Sequence, residues 1–183
     1  MDTWVWVVIA VAAVILLVAA WAVFRARRSH ELKERFGPEY DRVAADAPTR
    51  REAEAELRDR EKRREELDIR PLDPKVRERY RAQWLEVQAR FVDDPGDAVA
   101  DADALIQAVM RERGYPIEDF ETRAADLSVD HPDVVERYRA AHGLAVAHER
   151  GNASTEDLRH AVRHYRELFD SLVEARDAEE ART

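Results

Sequence analysis

The 183-residue chain has no cysteine, only five glycines and seven prolines, and just three lysines (Lys33, Lys62 and Lys75) among its thirty basic residues. The missing thiols exclude disulfides, thiolate zinc sites, iron–sulfur clusters, cysteine nucleophiles and a lipid-modified cysteine. So few glycines and prolines exclude collagen-like and low-complexity chains and argue against a β-sandwich. No segment alternates at period two for long enough to make a strand. The motifs HExxH and GxSxG, the phosphate-binding loop and the dinucleotide-binding glycine motif are all missing. The sequence therefore predicts an all-α protein that is not an enzyme and has no catalytic residue, no cofactor and no metal ligand.

What is present is segregated along the chain. Residues 4–24 carry no charge although 38% of all residues are charged. The thirty arginines and lysines, almost all arginine, accompany thirty alanines, a bias of GC-rich bacterial genomes.

Trp4–Phe24 is twenty-one residues without charge, proline or glycine. As a helix it extends about 30 Å, the hydrocarbon thickness of a bilayer, and so predicts one transmembrane helix. Indole rings favour the headgroup boundary, which makes Trp4 and Trp6 the anchors at one end and Trp21 the anchor at the other. Arg25, Arg27 and Arg28 follow immediately. The positive-inside rule then predicts a plasma-membrane protein with residues 1–3 outside and 25–183 in the cytoplasm. A cleaved signal peptide would want a basic start and a shorter apolar run, whereas Asp2 is acidic and the arginines come after the run.

Residues 25–70 hold fourteen basic and thirteen acidic side chains and predict a charged helical connector. Leu32, Phe36, Tyr40 and Val43 form a short apolar stripe, interrupted at Gly37-Pro38, which suggests two short helices. The stripe suits either the membrane surface or the next helix. Thr49 and Glu52 have capping-box spacing. Nine consecutive charged residues, Arg58 to Glu66, form opposite-sign pairs four apart and lack an apolar seam. A solvated helical spacer is expected.

Residues 71–183 carry sixteen basic and twenty-five acidic groups and predict a cytoplasmic bundle of about five helices. Apolar residues recur at helical spacing in each: Val76–Phe91 after Asp73-Pro74, Val99–Val109 before Gly114, Phe120–Leu127, Val135–Ala145 after Pro132, and Leu158–Leu172 after Ser154 or Thr155. The negative charge opposes nucleic acid and anionic lipid. Asp93, Asp94, Asp97, Asp101 and Asp103 fail the calcium-loop pattern, as do Asp126–Asp130. His160 and His164, with Glu156 and Glu167, fall on the water face of the last helix, and His142 and His148 are singletons.

Arg35-Phe36-Gly37-Pro38-Glu39-Tyr40-Asp41, Ile69-Arg70-Pro71-Leu72, Phe91-Val92-Asp93-Asp94-Pro95, Arg113-Gly114-Tyr115-Pro116 and Asp130-His131-Pro132 give the chain its signature. In these it resembles an uncharacterised, largely actinobacterial family of short single-pass membrane proteins with a helical cytoplasmic domain. That resemblance implies the architecture and supplies no activity or cofactor. The expected partners are the lipid bilayer and a protein. The expected function is a membrane-anchored, non-enzymatic helical adaptor that docks a partner at the cytoplasmic face. The alternative is a small-ligand-binding protein or enzyme with a pocket between the distal helices near Tyr80, Trp84, Tyr115 and Tyr138.

Overall fold

The protein was analysed as a computed structural model that describes residues 3–174, with the side chains of 3, 5–11 and 22 outside the described set. Among the described residues the fold is all-helical: α1 (Thr3–Phe36), α2 (Pro38–Asp46), α3 (Arg50–Glu66), α4 (Pro74–Asp93), α5 (Pro95–Arg113), α6 (Phe120–Asp130), α7 (Pro132–Glu149) and α8 (Thr155–Glu174). The chain divides into two compact units, residues 1–57 and 58–183. Helix α3 contributes to the first through Leu57 and to the second from Arg58.

In the first unit, α1 passes without a break from the uncharged run into the arginine-rich stretch and ends only at Phe36. Gly37, at φ +49°, turns the chain and Pro38 starts α2, so Gly37-Pro38 separates a long helix from a short one rather than two short ones. Leu32, Phe36, Tyr40 and Val43 are all buried, as are Ala53 and Leu57 of α3. The stripe is thus spent on helix packing within this unit.

Among the described residues no helix is long and apolar enough to cross a membrane. Much of the uncharged run falls on residues 5–11 and 22, whose side chains, Trp6 included, lie outside the described set. Its described large side chains are bare: Trp4, Trp21 and Phe24 are exposed, and Val14, Ile15, Leu16, Leu17 and Val18 are 58–71% exposed.

The second unit holds the five helices read from the sequence, each started or stopped by local chemistry. The Asp73 carboxylate accepts from Lys75 N at 2.8 Å, and Pro74 takes the first helical position of α4. Asp94 caps α5 by accepting from Asp97 N at 3.1 Å, and Asp119 caps α6 through Thr122 N at 3.1 Å. Ser154 and Asp157 close a reciprocal box before α8. Gly114 ends α5 at φ +98°, with Tyr115 N donating to Met110 O at 2.9 Å. A Cβ at Gly114 would meet the Asp68 carbonyl oxygen at 2.3 Å, so the position requires glycine twice over.

The core is packed around Trp84, Tyr138, Tyr165 and Phe169, with Ile106, Met110, Leu127, Leu168 and Leu172. Trp84 stacks on Phe169 at 4.8 Å between ring centroids. Tyr80, Trp84, Tyr115 and Tyr138 are all buried. The aromatic positions that could have framed a pocket fill the core instead.

The charge-rich end of α3 departs from the expected solvated spacer. Arg60 is buried, and its Nη1 donates to Ser128 Oγ at 3.4 Å. Arg63 lies 3.8 Å from Asp126, and Arg64 donates to Asp130, which also accepts from Tyr115 at 2.6 Å. Arginine can do this because its aliphatic stem covers apolar surface while its guanidinium reaches a carboxylate. The acceptors sit on α6, more than sixty residues away in sequence.

Candidate functional site

In each unit polar groups converge below the surface and border a cleft. In the first unit, α1 supplies Ser29, α2 supplies Tyr40, and α3 supplies Arg50 and Glu54. Glu54 is almost wholly buried, and its Oε1 accepts from Ser29 Oγ at 2.7 Å, Arg50 Nε at 3.1 Å and Tyr40 Oη at 3.3 Å. Arg50 also donates to Ser29 Oγ at 2.6 Å and to Tyr40 Oη at 3.0 Å. Burial raises the Glu54 pKa, but the bonds from Ser29, Arg50 and Tyr40 outweigh it and hold the carboxyl below its ordinary value.

This knot borders a cleft of about 450 Å³ that also reaches Trp21, Arg25, His30 and Lys33. Arg25 lies over the Trp21 ring at 5.6 Å, and Arg28 over the Phe24 ring at 5.4 Å. Of the six anchors read from the sequence, Trp4, Trp21, Arg25, Arg27 and Arg28 are exposed on α1, and Trp6 lies outside the described residues. Trp4 and Trp21 are seventeen residues apart on one helix, a rise of about 25 Å. The sequence singled out these six residues as expected anchors and passed over Ser29, Arg50 and Glu54. The only visible signal was a four-residue spacing of Arg50 and Glu54 among many such pairs.

Glu54→Ala is expected to destabilise the first unit by about 2 kcal/mol, because two hydroxyls and a guanidinium lose their acceptor. Glu54→Gln should cost less, since it retains an acceptor oxygen. Hydrogen exchange of the full chain localises the effect to residues 29–54. The depressed Glu54 pKa stabilises the folded chain above the usual carboxylate range, and this is lost as pH falls through the lower folded value.

In the second unit, α5, α7 and α8 enclose a cleft of about 290 Å³. Asp103 and Gln107 of α5, His142 and His148 of α7, and Tyr165 of α8 line it. Gln107 Nε2 donates to Asp103 Oδ2 at 2.6 Å. Asp103 Oδ1 and the Tyr165 hydroxyl are shut off from solvent, and the two side chains interact with each other. Burial, and then the charge of Asp103, push the Tyr165 hydroxyl well above its ordinary value, and the same two causes push Tyr138 up to about 12. His142 stacks on Phe120 at 3.7 Å between ring centroids. His148 approaches Gly96 so closely that a Cβ there would lie 2.5 Å from Nε2.

Of the remaining candidates, His160 and the acidic run are accounted for locally, whereas His164, expected on the water face, is half-buried with its Nδ1 shut off from solvent. His160 is exposed 3.6 Å from Glu156. The acidic run around Asp94 divides between the α5 cap and an Asp101–Arg90 pair at 2.5 Å. Among the described residues, no group of three or more His, Asp or Glu is placed to hold a metal ion. No family model, curated protein or solved structure matches the chain.

Proposed function

We propose that the chain is a membrane-anchored, non-enzymatic adaptor. In this reading residues 4–24 lie in the bilayer, Arg25, Arg27 and Arg28 meet the cytoplasmic headgroups, and the second unit docks a protein partner. One observation carries it: Val14 to Val18 are five successive apolar residues, all exposed. At about 100° per residue they cover every face of the helix. A helix that is apolar all round and bare of protein contacts needs an apolar solvent, and lipid is one. The resemblance noted above supports the same reading, as does the pairing of Arg25 with Trp21 at one end of the run.

A C-terminally tagged chain expressed in bacterial cells should stay in the membrane pellet through alkaline carbonate extraction. Protease outside intact cells should leave the tag untouched and should remove it after permeabilisation. Release by carbonate, or trimming in intact cells, overturns the reading. Affinity capture from gently solubilised membranes should then recover a partner that is lost when residues 58–183 are deleted.

A further inference from the structure

We infer that the cleft of the first unit binds the phosphate of an anionic glycerophospholipid from the leaflet in which α1 sits. This names a lipid partner for the anchored chain, and it rests on the membrane reading of residues 4–24.

Charge is the first observation. Three cations line the cleft, Arg25, Lys33 and Arg50, against one carboxylate, Glu54. That carboxylate is committed inward, its Oε1 accepting from Ser29, Tyr40 and Arg50. The cations are not spent. Arg25 meets the Trp21 ring and no carboxylate among the described residues. Arg50 uses Nε and Nη2 in the knot, yet its side chain is 66% exposed and Nη1 takes no part in those bonds. Lys33 lies 3.4 Å from Asp41, but both are more than half exposed, and such a pair contributes little. The cleft thus carries more positive charge than its own carboxylate balances.

Place is the second observation. Trp21, Arg25, Ser29 and Lys33 follow one another four apart along one side of α1, directly where the uncharged run ends. Helical side chains lean towards the helix N-terminus, so these lean back towards the run. With Trp21 at the headgroup boundary, Arg25 stands about 6 Å further out, within a headgroup layer about 5–8 Å thick on each side. Arg50, bonded to Ser29 at 2.6 Å, faces that layer from α3, one turn beyond. The collar arginines are exposed and adaptable, whereas Ser29, Tyr40 and Glu54 hold the Arg50 guanidinium in a fixed orientation. A pre-oriented donor loses less freedom when it binds.

The chemistry of the donors selects the headgroup. A phosphodiester presents two free oxygens, which match the fork of an arginine. A zwitterionic lipid would bring its own cation into a cleft of net positive charge; an anionic one does not. At about 450 Å³ the space equals about fifteen water molecules, enough for a phosphate and its glycerol. The acyl chains then lie along Val14, Leu17 and Val18, exposed on the Trp21 side of the same helix.

The test uses the full chain in detergent micelles doped with phosphatidylglycerol or with phosphatidylcholine of the same acyl chains, and native mass spectrometry reads the lipid retained. One phosphatidylglycerol should be retained per chain, saturably and about tenfold more tightly than phosphatidylcholine, the order expected when basic side chains face an anionic headgroup. Arg25→Gln with Lys33→Gln should remove most of that preference. Arg27→Gln with Arg28→Gln takes the same charge from α1 outside the cleft and should lower it less. None of these four side chains bonds Glu54, and an unchanged melting temperature checks that each variant folds. If a variant does not fold, the wild-type comparison of the two lipids decides. An excess of inorganic phosphate should leave the lipid bound; displacement would assign the cleft to a soluble phosphate instead. The inference falls on that displacement, on equal retention of both lipids, or on an equal loss of preference in the two double variants. Carbonate extraction of the same chain separates the two readings. A chain that stays in the pellet without a lipid preference overturns this inference alone, whereas release overturns the anchor beneath it.

Discussion

Trp84→Ala is expected to cost about 4 kcal/mol, the range for emptying a fully buried tryptophan site. The indole lies on Phe169 at 4.8 Å, and the Arg166 guanidinium sits 5.5 Å from its centroid, so truncation removes contacts on more than one side. A domain of this kind is stable by only about 5–15 kcal/mol, so the variant should unfold roughly 10–20 °C lower by circular dichroism. Trp84→Phe should do much less damage. It preserves an aromatic face against Phe169, and it removes an indole N–H that has no hydrogen-bond partner in the core. If alanine and phenylalanine were equally tolerated, Trp84 would not be the centre of the bundle.

Acid should weaken the second unit well before its carboxylates titrate. His131 links α6 to α7, and its ring reaches two further helices. Nδ1 lies 2.7 Å from Ser171 Oγ on α8, and Nε2 lies 3.5 Å from Arg113 Nη1 on α5. A guanidinium can only donate, so Nε2 is the acceptor and the proton resides on Nδ1, given to Ser171. Burial, and then the positive charge of Arg113, lower the His131 pKa from 6.5 to about 4. Between those values the unfolded chain binds a proton that the folded chain refuses. Stability therefore rises with pH across the window and is lost as pH falls from 6.5 towards 4, by about 3 kcal/mol in all. Denaturant titrations at pH 7 and pH 5 should show most of the change, and His131→Gln should flatten it. Asp126 acts in the opposite sense lower down, because burial raises its pKa despite Arg63 and Arg60. A slope between pH 7 and pH 5 that survives in His131→Gln would show that another group titrates.

The helices of the second unit were legible because their ends are written in short-range chemistry. Asp73-Pro74, Asp94-Pro95, Gly114, Asp119 and Ser154 act within a few residues of where they stand. Trp84, Tyr138, Leu158 and Phe169 follow the helical period and are buried accordingly. The companions of the charges were not legible. Arg60 and Arg64 read as one solvated face until Ser128 and Asp130 arrive from a distant helix. Glu54 looked like any other glutamate in a charged helix until Ser29 and Tyr40 were folded onto it. The same holds for the cleft of the second unit. Asp103 and Gln107 belong to a pattern four apart that is common on helices, and nothing local says that Tyr165 closes the floor. Sequence periodicity reports which face is apolar. It does not report which polar groups are carried inward with that face, because this depends on partners that only the tertiary fold supplies.

The placement of the four tryptophans has an optical consequence. Three stand within residues 4–24, and Trp84 is the sole indole beyond them, in a dry core against Phe169. Replacing Trp4, Trp6 and Trp21 with phenylalanine would leave a single chromophore whose emission and quencher shielding follow the second unit alone. Replacing Trp84 instead would leave only the reporters at the start of the chain. The two halves of the protein can thus be watched separately in one cuvette, without attaching any dye.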